Sequence, residues 1–154
     1  MADNFVANAG SGGSTFASDD VGGTQYPRVK VSVGSDAVAQ DNWTPHRLMS
    51  AASTNATNVK GSAGAVGFIF AANLNAAVRY LKLYNKATAP TVGTDTPIAT
   101  LPIPAATVGA GFVIPIPGGV AFTNGISYAL TTGYADSDTG AVAANEIFVF
   151  LGYA

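Results

Sequence analysis

EIFVFLGY, residues 146–153, is apolar on both sides of an extended chain: Ile147, Val149 and Leu151 alternate with Phe148 and Phe150. A strand of this kind is either central in a packed sheet or covered by another subunit. Upstream the same texture recurs in short β-rich runs: GISYALTTGY (125–134), GFVIPI (111–116), IATLPI (98–103), AAVRYLKLYN (76–85) and AVGFIFAAN (65–73). Between them stand turn-forming clusters: Asn73 to Asn75, Ala89-Pro90, Gly93 to Pro97, Pro117-Gly118-Gly119, Asn124-Gly125 and Asp136 to Gly140. Short strands at this spacing predict an all-β fold, an antiparallel β-sandwich of roughly eight strands.

In 76–85, the Arg79/Leu81/Leu83 face and the Val78/Tyr80/Lys82/Tyr84 face each carry a charge among apolar groups. One face is therefore expected in the core and the other partly covered by a neighbour. Further upstream, RVKVSV (28–33) alternates as a half-buried strand, and residues 34–46 read as a loop holding the sole Trp, Trp43. A loop tryptophan is a lid over a sandwich end or an interface anchor, and the lid is preferred. Arg47 to Ala52 and Thr57 to Lys60 read as two short strands around the turn-prone Ser53-Thr54-Asn55. No helix is expected: Pro102 and Pro104 hem in Ala105-Ala106, and AVAANE (141–146) has room for one turn.

Residues 1–25 differ from the rest, with Gly10 to Ser14 and Gly22-Gly23 separating segments that carry Phe5, Phe16 and Val21. Spaced apolar side chains on flexible sequence favour an extended arm that orders on a second surface over a disordered leader. The expected organisation is an arm over 1–25 and a sandwich over 26–154. Phe5, Phe16, Val21 and Trp43 are the candidate partner-binding residues.

Charged residues are 10% of the 154-residue chain and apolar ones 48%. An average globular protein carries about 25% charge. So little charge implies a surface largely covered by copies of the chain or by a partner, hence a homo-oligomer, with a trimer favoured. Seven Lys plus Arg against nine Asp plus Glu, with no basic run, argue against nucleic acid. The N-terminus lacks the pattern of a signal peptide, and the most apolar stretch, Ala63 to Ala72, is too short to span a bilayer. The expectation is a soluble, unprocessed protein with no membrane partner. With no Cys, neither disulfides nor thiolate metal sites are available.

The residues that could do chemistry are few. His46 is the only His, which precludes a multi-His metal site and leaves any triad dependent on one loop residue. Asp136-Ser137-Asp138-Thr139-Gly140 starts like a calcium loop, but its Gly arrives early and Glu146 is off register, so a hairpin turn with Asx hydrogen bonds is preferred. Gly10 to Ser14 has no following Lys or helix, so it is no phosphate loop. Asn42-Trp43-Thr44 and Asn55-Ala56-Thr57 match the glycosylation acceptor pattern, which carries weight only on a secretory route. Asp19-Asp20 lacks the roughly 5–9 Å spacing of a glycosidase pair. No enzyme, metal or cofactor is expected.

Three segments, ASDDVGGTQYPRVKVSV (17–33), AAVRYLKLYNKATAPTVGTDTPIATLPIP (76–104) and GVAFTNGISYALTTGYADSDTGAVAANE (119–146), resemble proteins encoded among the virion structural genes of tailed bacteriophages. They cover about half of the chain, and YLKLYNKATAPTVGTDTP (80–97) is the most specific part. The resemblance implies a virion component with a β-sandwich body, of a kind found among capsid decoration, tail and fibre-associated proteins. It implies no catalytic residues. The leading expectation is a jelly-roll-like capsid decoration (cement) protein, made in the host cytoplasm, that binds the major capsid protein on the head surface and uses the N-terminal arm as its grip. The alternative is a fibre or tail-associated adhesion module binding a host glycan through Trp43, Tyr134, Asp136 and Asp138, provided these converge.

Overall fold

The computed structural model describes residues 4–6, 15–27 and 43–154. The chain divides into two compact units, Met1–Ser32 and Val33–Ala154. The expected strand at 28–33 lies outside the described residues.

In the first unit, β1 (Asn4–Val6), β2 (Thr15–Val21) and β3 (Thr24–Pro27) form an antiparallel sheet in the order β1-β2-β3. Val21 pairs with Thr24 across Gly22-Gly23, whose φ values are 60° and 84°. Two consecutive positive φ angles are what a tight hairpin matched to strand twist requires, and glycine takes them without strain. The segment read as an arm thus carries strands that pair with one another, and β3 runs past residue 25.

The second unit has eight strands: β4 (Thr44–Met49), β5 (Thr57–Lys60), β6 (Gly64–Asn73), β7 (Arg79–Asn85), β8 (Ala99–Ile103), β9 (Gly111–Phe122), β10 (Ile126–Thr131) and β11 (Ile147–Tyr153). They form two antiparallel four-stranded sheets, ordered β4-β11-β6-β9 and β5-β10-β7-β8. Strands adjacent in sequence repeatedly cross from one sheet to the other, and the first pairs with the last. This is the double Greek key of a jelly roll. The only helical element among the described residues is a single 3-10 turn, Ala106–Val108.

Alternation builds the core. Ile69 and Ala71 of β6 and Ile147, Val149 and Leu151 of β11 meet Leu81 and Leu83 of β7, Ile103 of β8, and Ile126, Tyr128 and Leu130 of β10. Each fully buried aliphatic side chain contributes about 1.5–3 kcal/mol of apolar burial. β11 is central, as its two apolar faces imply.

Buried polar side chains then tie the strand ends together. Ser50 Oγ accepts from the N–H groups of Glu146 and Ile147 at 3.0 and 2.9 Å and donates to the Ala143 carbonyl at 2.8 Å. Asn73 leaves β6 and donates to the carbonyls of Ala77 and Ile103 at 2.9 and 3.2 Å, the second of these in the opposite sheet. The charge on the inward face of β7 is accounted for at the sandwich end, where Arg79 Nε meets Glu146 Oε1 at 2.5 Å.

Two expectations need correction. First, β4 starts at Thr44, so His46 lies on a strand rather than in a loop, and the strand expected over 47–52 ends at Met49. β4 is an edge strand, where the missing N–H of Pro45 breaks no ladder. Second, Pro117-Gly118-Gly119 does not end a strand. Val66 pairs with Val120 and Phe68 with Pro115, so residues 116–119 bulge opposite Gly67 inside β9. Gly118 and Gly119 take φ values of 84° and 74° there. Proline or the bulge also blunts three of the four sheet edges: Pro45 on β4, Pro102 on β8, and Pro115 and Pro117 on β9.

Candidate interaction surface

Strand register sets out the outward face of the β4-β11-β6-β9 sheet row by row. One row runs Met49, Phe148, Ala72, Gly111; the next Arg47, Phe150, Phe70, Val113; the third Pro45, Gly152, Phe68, Pro115. Arg47 is the one charged residue among these twelve. The four phenylalanines pack as two pairs, Phe68 with Phe150 at 5.4 Å between centroids and Phe70 with Phe148 at 5.7 Å. The Arg47 guanidinium carbon lies 5.2 Å from the centre of the Phe148 ring, a cation–π contact that leaves the charge at the edge of the sheet. All four rings are only partly buried, and Val113 is 65% exposed. Beside them a cleft of about 370 Å³ opens between Phe70, Ala72 and Val113 and the Gly109–Phe112 stretch.

Trp43 closes one end of this face. A Cβ at Gly67 would fall 2.3 Å from its Cζ2, and one at Gly119 would fall 3.2 Å from its Cη2. The bulge in β9 and the bare backbone of Gly67 therefore form the seat of the indole. Trp43 lies against the side of the sandwich, where its expected place was over the end.

Of the other candidate residues, Phe5 and Phe16 are Cα partners in the β1–β2 pair. Val21 closes β2 and is 64% exposed. These three belong to the first unit and Trp43 to the second.

Tyr134 stacks edge-on against Tyr80, on the outward face of the β5-β10-β7-β8 sheet, with centroids 5.7 Å apart. Trp43 and the Tyr134–Asp138 loop thus sit on opposite sides of the sandwich, and the four residues of the glycan-binding alternative do not converge.

Beneath that loop lies the fully buried Lys82. Its Nζ donates to the carbonyl of Ala135 at 2.6 Å and sits 3.4 and 3.3 Å from those of Asp136 and Asp138. Burial lowers its pKa, and the charges of Asp138 and Asp136 oppose that shift. Asp138 Oδ1 in turn accepts from the N–H groups of Gly133 and Gly140, both at 3.0 Å. The loop that starts like a calcium site is an Asx turn organised around the protein's own ammonium; the expected hairpin does not form, because the strands it joins, β10 and β11, lie in different sheets. No cluster of three or more metal-ligating His, Cys, Asp or Glu occurs among the described residues.

His46 Nε2 is 2.9 Å from the hydroxyl of Tyr128, so the lone imidazole is tied to a fully buried phenol of the opposite sheet. Burial lowers the His46 pKa and raises that of Tyr128 well above the usual phenol range. The pair bridges the two sheets as neutral groups. The Asn55 acceptor pattern is likewise structural: Asn55 is buried, and its Nδ2 donates to the carbonyls of Ala51 and Ser53 at 3.0 and 2.8 Å.

The aromatic face is half visible in sequence, in the outward Phe148 and Phe150. Phe68 and Phe70 repeat the same i, i+2 spacing, which sets them on one face of β6, and the β6–β11 register is what joins them to it. No protein-family model, curated protein or solved structure matches the chain.

Proposed function

We propose that the protein is a non-enzymatic virion structural protein, a capsid decoration (cement) protein that binds the outside of a phage head and stabilises it. The observation that carries this reading is the outward face of the β4-β11-β6-β9 sheet, twelve positions with one charge, on a jelly roll whose polar side chains serve as internal ties. Such a molecule is built to be covered. The resemblance of residues 17–33, 76–104 and 119–146 to phage virion proteins supplies the setting. Packaged DNA presses outward on a shell, and many copies of a small rigid clamp add binding free energy at each junction through multivalency. The partners are the major capsid protein and other copies of this chain, and the place is the virion surface. Phe5, Phe16 and Val21 of the first unit are the proposed grip on the shell. The adhesion alternative draws on fewer residues, since Trp43 and the Tyr134–Asp138 loop lie on opposite sides.

The test is a copy count on purified particles, together with saturation binding of the protein to heads that lack it. Hundreds of copies per head support decoration, whereas a handful at one vertex replaces it with a tail or fibre role. Deleting residues 1–25 is expected to leave a folded sandwich that no longer attaches.

A further inference from the structure

We propose that the outward face of the β4-β11-β6-β9 sheet is covered by the same face of a second copy, sheet on sheet, about a twofold axis parallel to the strands. The inference rests on the oligomeric part of the reading above and not on what the oligomer binds.

Chemistry and supply favour a second copy. Aromatic residues, Met and a rim Arg, with Lys, Glu and Asp absent, make the composition of a protein–protein interface core. A face this apolar needs cover from the moment of folding, and another copy is the one partner present wherever the chain is made. Extent is sufficient as well. Over their whole lengths, with the Trp43 seat and the β9 bulge included, strands of 6, 7, 10 and 12 residues span roughly 550 Å² at ~3.3 Å per residue and ~4.8 Å between strands. Two such faces bury roughly 1,100 Å², above the ~1,000 Å² that a specific interface needs. The prolines on the edges disfavour sheet extension and leave face packing as the route.

Shape selects the axis. A twofold parallel to the strands lays β4 of one copy over β9 of the other and β11 over β6. Phe148 then faces the small Ala72 of the second copy, Phe68 faces Gly152 and Met49 faces Gly111 beside its cleft, so in the outer rows large side chains meet small ones, while Phe150 stacks on Phe70 in the row between. Arg47 reaches the rim opposite Val113. A twofold across the strands through the middle row would instead set Arg47 against its own image, a like-charge contact, with Phe150, Phe70 and Val113 on theirs.

The absence of Cys permits a direct test on the full chain. Positions 47 and 113 sit on opposite edges of one sheet, about 14 Å apart at ~4.8 Å per strand, whereas sheets packed face to face lie ~10 Å apart. A short bis-maleimide reaching ~10 Å is therefore expected to join the double variant Arg47→Cys/Val113→Cys into a covalent dimer, while each single variant treated in the same way runs as a monomer on a denaturing gel. Wild-type protein is expected to sediment as a dimer at micromolar concentration. Val113→Lys, which sets a second cation against Arg47 of the other copy, is expected to weaken that dimer by at least ~10-fold with unchanged circular dichroism. A wild-type monomer overturns the proposal, whether the chain's own N-terminal residues or only capsid protein covers the face. A trimer overturns it too, as does a dimer that crosslinks through either single variant. No heads are present in these experiments, so their failure leaves the decoration test untouched.

Discussion

Replacing Lys82 by Met separates the charge of this side chain from its bulk. The thioether keeps most of the stem's length and volume, so packing against β7 and β10 changes little, while the carbonyls of Ala135, Asp136 and Asp138 lose their common donor. Two effects oppose each other. Burying an ammonium is unfavourable by several kcal/mol, and the Met variant is relieved of that. Against this, a hydrogen bond from a charged donor is worth about 1.5–3 kcal/mol net, and only the 2.6 Å contact to Ala135 has the length of a strong one. Because Ala135 and Asp136 are exposed, their carbonyls can regain water once the loop lifts, which limits the loss to that one strong bond. That net figure already includes the cost of taking the ammonium out of water, so the expected destabilisation is about 1.5–3 kcal/mol, or about 3–12 °C in Tm for a chain of this size. The decisive readout is local. Amide exchange at Thr132, Gly133, Asp138 and Gly140, whose N–H groups close the loop, should accelerate by roughly 10–100-fold, while exchange in the core of β11 follows only the global change. A Met variant within ~0.5 kcal/mol of wild type and with unchanged exchange across 132–140 would refute the role assigned to the ammonium.

Gly67→Ala places a methyl group 2.3 Å from the Trp43 ring, so the indole must leave its seat. The sole tryptophan should then emit to the red, with about 1–3 kcal/mol of destabilisation from overpacking, and an unchanged emission maximum would contradict the seat described. Acidification tests His46. Its folded pKa is lowered by burial while the unfolded value stays near ~6.5, so the unfolded chain takes up the proton first. Stability should therefore be level above pH ~6.5, decline as pH falls through that value, and flatten below the lowered folded pKa. Urea titrations between pH 8 and 5.5 check this, and a rise in stability on acidification would run against it. Tyr128→Phe removes the partner across the sheets and should cost about 1–2 kcal/mol at neutral pH, read from the same titrations.

The sandwich was legible wherever alternation and turn chemistry agreed. IATLPI and EIFVFLGY became β8 and β11 within one residue of their quoted bounds because apolar period and flanking breakers point the same way. Legibility failed where a distant group decides local structure. Pro117-Gly118-Gly119 reads as a strand end from its own chemistry, and it is the indole of Trp43, far away in sequence, that sits against the bulge. Pro45-His46 reads as loop until β11 arrives to pair with it. The Lys82 cradle is made of backbone carbonyls, which every residue carries, so nothing in the loop's composition announces it beyond a cation on a face expected to be covered. The aromatic surface needed strand register: Phe68 and Phe70 join Phe148 and Phe150 only once β6 is known to lie beside β11.

The pairing of β4 with β11 has a consequence for the order of events during synthesis. Thr44 finds its partner in Tyr153, and Met49 in Phe148, so the first strand of the sandwich has no ladder to join until the last strand has left the ribosome. At ~5–20 residues per second, a separation of about 100 residues is a wait of roughly 5–20 s. Through that interval β4 is a bare strand with both edges open to any neighbouring nascent chain. Pro45 and Arg47, placed within it, make it a poor template for such pairing, so the residues that blunt an edge in the finished protein also guard the chain while it is incomplete.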